Sequence, residues 1–370
     1  MQKVSGIGGS ERHLATLLPA LARRGVDVHM CVLAAGDVDR FLADLAAVGV
    51  PATVLPAGPD VNPAAVARLV ATIGRLRPDL VHTHLIHAHT HGQMAARLRR
   101  GTAAVTTFHA AHPPFTREPY RTASRLVGRW PRRTIAISEH LGRFVVDHGL
   151  ADPARVRVVH YGIEADGWRL PAVDAARAEE VVVGVASRLV PEKGHADLID
   201  AVAEAGRRGA RLRLQIAGDG PLRAELEARA AAALDPGSYR FLGFVADIRV
   251  FLNACDVFAF PTTPDFGEGF GMAALEASAA GRPVVGTDVG PIPEVVADGV
   301  SGIIVPPRSP ARLAGALVAL AQDEGLRRRL GEGGARRARE VFGVDRMADR
   351  TMAVYEEAVD RQKAMGWKTS

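Results

Sequence analysis

Twice along this chain, short apolar runs alternate with longer amphipathic ones in the order strand, helix, strand, helix, and no other feature restricts the fold as much. In the first half the pattern predicts strands over 26–33, 52–55, 80–84, 104–108 and 134–137, with helices over 38–48 and 63–76. In the second half it predicts strands over 181–186, 211–217, 240–244, 257–260 and 283–287 and helices over 195–207, 222–232 and 273–280, followed by helical segments to the end. Such alternation implies parallel sheets covered on both faces, hence an α/β chain with two doubly wound domains. Ligands of these sheets sit outside the carboxyl ends of the strands, so two facing domains would hold a ligand in the cleft between them.

The polar, Ala-rich stretch near 170–180 marks the junction. The division expected is 1–164 for the first domain, 165–178 for the linker, 179–345 for the second domain, and 346–370 for a last helix that crosses back to the first. Only Met1 to Ser5 precede the glycine loop Gly6-Ile7-Gly8-Gly9-Ser10-Glu11, which opens a helix. The first strand therefore looks truncated: either very short and ending near Val4, or continued upstream of Met1.

Composition narrows the class. With 46 basic and 41 acidic residues the net charge is +5 over 370 residues, too diffuse for a nucleic-acid binder, which gathers its charge into a stripe. Cys31 and Cys255 stand far apart without metal-ligand spacing, which argues against a disulfide framework or a thiolate zinc site and for a reducing compartment. No run of eighteen apolar residues occurs and no leader pattern opens the chain, so a cytoplasmic location is expected. Only Lys3, Lys193, Lys363 and Lys368 are lysines among the basic residues, which sets Lys193 apart in the middle of the chain.

Two motifs carry chemistry. In Phe266-Gly267-Glu268-Gly269-Phe270-Gly271-Met272, continuing to Glu276, two carboxylates flank the start of a helix. Gly269 and Gly271 allow close approach of the backbone, and the helix start offers N–H groups to an anion such as a diphosphate. In Ser187-Arg188-Leu189-Val190-Pro191-Glu192-Lys193-Gly194-His195, directly after a strand, Arg188 and Lys193 can both face a phosphate-bearing leaving group. A solvent-exposed Glu268 with Glu276 in a surface salt bridge, and a surface Arg188 or Lys193, are the bland alternatives.

Together with Gly218-Asp219-Gly220-Pro221-Leu222, Phe241-Leu242-Gly243-Phe244-Val245 and Thr287-Asp288-Val289-Gly290-Pro291, these motifs resemble the retaining nucleotide-sugar glycosyltransferases of family four, which have the GT-B fold. The first half adds Gly8-Gly9-Ser10-Glu11-Arg12, Asp79-Leu80-Val81-His82-Thr83-His84, Thr107-Phe108-His109 and Ile137-Ser138. The resemblance implies that Arg188 and Lys193 bind the donor diphosphate, Glu276 the ribose, Glu268 the sugar hydroxyls, and the backbone at Gly269, Phe270 and Gly271 the sugar and phosphate. It places Val245 near the base, Gly8 and Gly9 against the diphosphate, and His109 beside the reacting sugar.

No cofactor or metal is expected: the co-substrate is a nucleotide-sugar, UDP being the commonest base. Departure of the nucleoside diphosphate and positive character on the sugar carbon are what the protein must stabilise. Retention would have the acceptor hydroxyl attack on the face the phosphate leaves, with neither Glu acting as nucleophile, unlike the glycoside hydrolases. The acceptor stays open among glycans, aminocyclitols, lipids and natural products. An epimerase or sugar phosphorylase on the same fold, or a non-catalytic nucleotide-sugar binder, would keep the same phosphate-binding half.

Five histidines fall within ten residues: His82, His84, His87, His89 and His91. His87 and His91 have the i, i+4 spacing of a zinc pair, yet the run crosses from a strand into a helix and no carboxylate or thiol stands at ligand spacing. His84, His87 and His112 are the candidates for acceptor contacts. Arg121, Arg125 and Arg129 form a basic helical face beside Trp130 that can sit on the inner face of an anionic membrane, a solvated face being the plain alternative.

Overall fold

The apolar runs Val257–Phe260 and Val284–Thr287 are buried along their whole length, as strands covered on both faces must be. The structure is a computed structural model that describes residues 1–4, 8–58, 62–99, 101–111, 120–168, 180–265 and 268–359. It divides into two units, Met1–Gly162 with Val344–Ser370, and Ile163–Gly343.

The first unit holds β1 (Gln2–Val4), β2 (Met30–Ala34), β3 (Ala52–Pro56), β4 (Leu80–His84), β5 (Ala103–Phe108), β6 (Arg133–Ala136) and β7 (Val156–Val158) in one parallel sheet of order β3-β2-β1-β4-β5-β6-β7. A strand of three residues ending at Val4 thus occupies the centre, pairing Gln2, Lys3 and Val4 with Val32, Leu33 and Ala34 and Gln2 with His84. The sheet does not lack its central strand. The strand expected over 26–33 enters the ladder only at Met30, because Val26 and Val28 pack on the core instead. Helices cover both faces: Leu14, Phe41 and Leu45 bury against Val4, Met30 and Val32, while Leu69 and Ile73 bury against Leu33 and Val81.

Helix starts follow local chemistry. Asn62 accepts a hydrogen bond from the Ala65 amide ahead of Pro63, and Ser138 accepts one from the Leu141 amide. The helix Val344–Ala358 belongs to this unit: Met347, Val354 and Tyr355 pack with Leu17, Val105 and Ile135. Its outer edge is tied by Arg24 to Asp345 and Asp349 at 3.0 and 2.7 Å, and by Arg133 and Arg157 to Glu357, both at 2.7 Å.

In the second unit β8 (Val181–Ala186), β9 (Leu212–Ala217), β10 (Tyr239–Gly243), β11 (Val257–Phe260), β12 (Val284–Thr287) and β13 (Gly302–Val305) form a parallel sheet of order β10-β9-β8-β11-β12-β13. Its core joins Val183, Val185, Leu214 and Ile216 of the sheet to Leu198, Ile199, Leu313 and Leu317 of the covering helices. The expectation of helix alone after Thr287 is corrected by β13. That strand is short and opens with Gly302, where a Cβ would fall 2.1 Å from the Val284 carbonyl oxygen, so the close pairing demands glycine. Ala165–Trp168, at the head of the expected linker, is a 3-10 turn of this unit, and residues 169–179 lie outside the described residues. In each sheet the strand order reverses once beside the first strand, between β1 and β4 and between β8 and β11, and such switch points are where doubly wound sheets bind ligands.

Candidate active site

Both chemical motifs of the second half leave strands that flank its switch point. After β8 the chain passes Ser187 and Arg188, makes a 3-10 turn at Pro191–Lys193, and enters the helix His195–Arg207 through Gly194 at φ +67°. A Cβ on Gly194 would stand 1.9 Å from the Pro261 carbonyl oxygen, so this turn lies backbone to backbone against the segment that leaves β11. The Thr263 amide donates to the Glu192 carbonyl at 2.9 Å and zips the two segments together.

That contact brings Lys193 to Glu268: Nζ lies 2.6 Å from Oε2, with the side chains only 18% and 17% exposed. The ammonium also sits 5.7 Å from the centre of the Phe260 ring. Beyond Glu268, Gly271 at φ +93° caps the helix Met272–Ala279, in which Glu276 is buried. A Cβ at Gly271 would meet Ile292 Cδ1 at 2.7 Å. The loop after β9 closes in likewise: Gly218, at φ +127°, leaves no room for a Cβ beside the Ser187 carbonyl oxygen, and its amide donates to the Gly243 carbonyl at 2.7 Å. Val245 follows β10, half-buried.

Arg188 does not join the Lys193–Glu268 pair. Its side chain is 70% exposed and its guanidinium lies 3.9 Å from Glu192. His195, which sequence reasoning passed over, is buried with Nε2 3.1 Å from Ser187 Oγ, and burial, then the Lys193 charge, pushes its pKa down to about 4.

In the first unit Gly8 and Gly9 begin the helix Gly9–Ala22. The Gly8 amide donates to Glu11 Oε2 at 2.9 Å, while the space a Cβ would take at Gly9 is open. Glu11, buried, also accepts from Gln2 Nε2 at 2.5 Å and from Ser10 Oγ at 2.9 Å.

The histidines separate by element. His82 lies in the middle of β4 and His84 ends it, and His87, His89 and His91 lie on the helix Leu85–Leu98. His84 Nδ1 is 2.9 Å from His109 Nε2, and His109 Nδ1 is 2.5 Å from the Tyr161 hydroxyl. His82 joins Tyr355 at 2.8 Å and Thr107 at 2.6 Å. Burial pushes the pKa of His82, His84 and His109 well down, so all three rings are neutral. His13 stacks on Tyr161 with ring centres 4.3 Å apart, and burial lowers its pKa to about 3. Neither His13 nor Tyr161 lies in a motif, and only the fold brings them to His109.

His87 and His91 do not face a common ligand position: His91 Nδ1 is 2.9 Å from the His87 carbonyl oxygen, and His87 Nε2 is 3.0 Å from Lys3 Nζ. Among the described residues no three His, Cys, Asp or Glu side chains group so as to hold a metal ion. His112 lies outside the described residues. Arg125 and Arg129 are exposed and Arg121 half-buried, Arg125 donating to the His148 carbonyl at 2.8 Å. No helix among the described residues is long and apolar enough to cross a membrane.

Residues 7–166 match the family described as Glycosyltransferase Family 4, and residues 180–323 match Glycosyl transferases group 1. The D-inositol 3-phosphate glycosyltransferase of Streptomyces bingchenggensis is 34% identical, over 76% of this chain and 67% of that protein. Its namesake in Geodermatophilus obscurus is 30% identical, over 96% of this chain and 86% of that protein. The chain belongs to glycosyltransferase family 4.

Among solved structures, Anabaena HepE in complex with UDP is similar with a TM-score of 0.83 and 25% identity, over 96% of this chain and 98% of that one. Sucrose-phosphate synthase of Thermosynechococcus elongatus shares the fold with a TM-score of 0.79 at 21% identity, over 98% and 95% of the two chains. This family 4 member is thus a GT-B-type glycosyltransferase built from two parallel-sheet Rossmann-like units.

Proposed function

We propose that the protein moves a hexosyl group from a UDP-sugar to a hydroxyl of a polyol-type acceptor, with retention at the anomeric carbon and without a metal ion. The observation that carries this reading is the Lys193–Glu268 pair at the switch point of the second sheet, next to the Gly271 helix start. A cation for the diphosphate, a carboxylate for sugar hydroxyls and backbone amides for phosphate oxygens meet there. The UDP in the HepE structure supports the donor base, and the name borne by the inositol-phosphate relatives supports a cyclitol or its phosphate as the acceptor.

In the proposed reaction the bond from the anomeric carbon to the β-phosphate oxygen breaks as the bond to the acceptor oxygen forms on the same face. The acceptor proton passes to the departing phosphate. Negative charge grows on the diphosphate, where Lys193 and Arg188 strengthen their hold, so the two are more valuable in the transition state than with intact donor. Glu276 receives the ribose hydroxyls, Val245 borders the base, and Phe270 and Gly271 present amides to the sugar and phosphate. Gly8, Gly9 and His109 of the first unit serve the donor, and His84, His87 and His112 the acceptor. We place the reaction in the cytoplasm, with Arg121, Arg125 and Arg129 available to anionic lipid.

The test is direct. UDP-glucose and UDP-N-acetylglucosamine are each incubated with inositol, inositol 3-phosphate and a panel of glycans and lipids in the presence of EDTA, and the product anomer is read by NMR. A retained anomer formed despite the chelator supports the reading. An inverted anomer, or turnover abolished by EDTA and restored by a divalent cation, contradicts it.

A further inference from the structure

His109 has both ring nitrogens engaged, Nε2 by His84 and Nδ1 by Tyr161. These bonds come from three separate parts of the first unit. His84 ends β4, His109 follows the neighbouring strand β5, and Tyr161 lies beyond β7, where its ring is gripped by His13. His84 is followed by Leu85 at φ +65°, a conformation costly for a leucine, so the chain is held in a strained turn just where His84 leaves the sheet.

A neutral imidazole carries one proton on one of two nitrogens, and the partner of one nitrogen decides the role of the other. Burial keeps the histidines neutral and pushes the Tyr161 phenol up, so the hydroxyl keeps its proton across the working range. A protonated phenol 2.5 Å from Nδ1 can donate to it.

We infer that Tyr161 is a positioning residue: its O–H donates to His109 Nδ1 and fixes the ring proton on Nε2, the atom that His84 Nδ1 now accepts from. Nε2–H is therefore the working end of His109. A hydroxyl of the reacting sugar replaces the His84 ring as its acceptor, while Tyr161 holds the ring in place. This rests on the assignment of His109 to the reacting sugar made above.

Two measurements test it. The 15N shifts of the imidazole nitrogens in the wild-type protein, assigned by difference from His109→Ala, should show His109 as the Nε2–H tautomer. Tyr161→Phe, which keeps the ring stacked on His13, should lower kcat at least tenfold with donor KM and UDP-induced stabilisation unchanged, and should lose the single tautomer. A wild-type His109 in the Nδ1–H form overturns the inference, as does Tyr161→Phe with wild-type kcat while His109→Ala is inactive. Wild-type turnover by His109→Ala removes the assignment of His109 itself, a different failure that the tautomer measurement does not share.

Discussion

Lys193 and Glu268, 75 positions apart in the chain, meet at 2.6 Å across the switch point of the second sheet. Two groups assigned to different parts of one donor are here each other's partner. In the proposed donor site the diphosphate would therefore compete with the Glu268 carboxylate for the ammonium. Removing the ammonium takes away charge stabilisation that grows in the transition state, so Lys193→Ala should lower kcat by about 10²–10³-fold. Circular dichroism should remain that of the wild type.

Glu268→Gln should have opposite effects on binding and on turnover. Without the carboxylate the Lys193 charge is uncompensated and a repulsion to the incoming diphosphate is gone, so UDP should bind about three- to tenfold more tightly. Turnover should nevertheless fall, because the group proposed to accept from the sugar hydroxyls has lost its charge. Calorimetric titration with UDP checks the first half, and weaker binding would show that Glu268 does not compete for Lys193.

Gly194→Ala should destabilise the second unit by about 2 kcal/mol or more. The residue has φ +67°, and its new Cβ would stand 1.9 Å from the Pro261 carbonyl oxygen, where only backbone movement can make room. The Lys193 turn would be displaced with it. Denaturant unfolding reads the loss of stability, and unchanged unfolding would mean that the backbone contact is absent.

Stability should decline as the pH falls below about 7. Burial lowers the pKa of His13 to about 3 and of His89 and His195 to about 4, whereas in the unfolded chain each titrates near the ordinary histidine value of 6.5. Between those values the unfolded state binds protons that the folded state refuses, so this contribution is complete above about pH 7 and is lost progressively towards the folded values. Melting temperatures from pH 8 to pH 4 should fall on the acid side, and His89→Gln should flatten the slope. A flat profile over that range would show that these histidines are not buried neutral.

Strand and helix order was legible because a parallel strand buried on both faces needs an unbroken apolar run, and 181–186 and 257–260 supply one. The strands missed, β7 and β13, are short edge strands of three and four residues with Arg157 or Gly302 where an apolar residue would have signalled them. The glycine loops and both glutamates were legible as motifs, since backbone approach and helix starts leave local signatures. Pairings were not. Lys193 meets Glu268 only because β8 lies beside β11, and Tyr161 meets His109 only because the chain returns from β7. Neither adjacency is written in residue spacing. The exposure of Arg188 was open only as the alternative reading, since its motif says which strand it follows and not where its side chain goes.

The account stands most directly on a thermal-shift comparison of UDP, GDP, ADP and TDP with the wild-type chain and with Glu276→Ala, because a ligand that binds only the folded state raises its melting temperature. It predicts a stabilisation selective for UDP that Glu276→Ala abolishes. No shift with any nucleotide, or a UDP shift that survives in the variant, would contradict it.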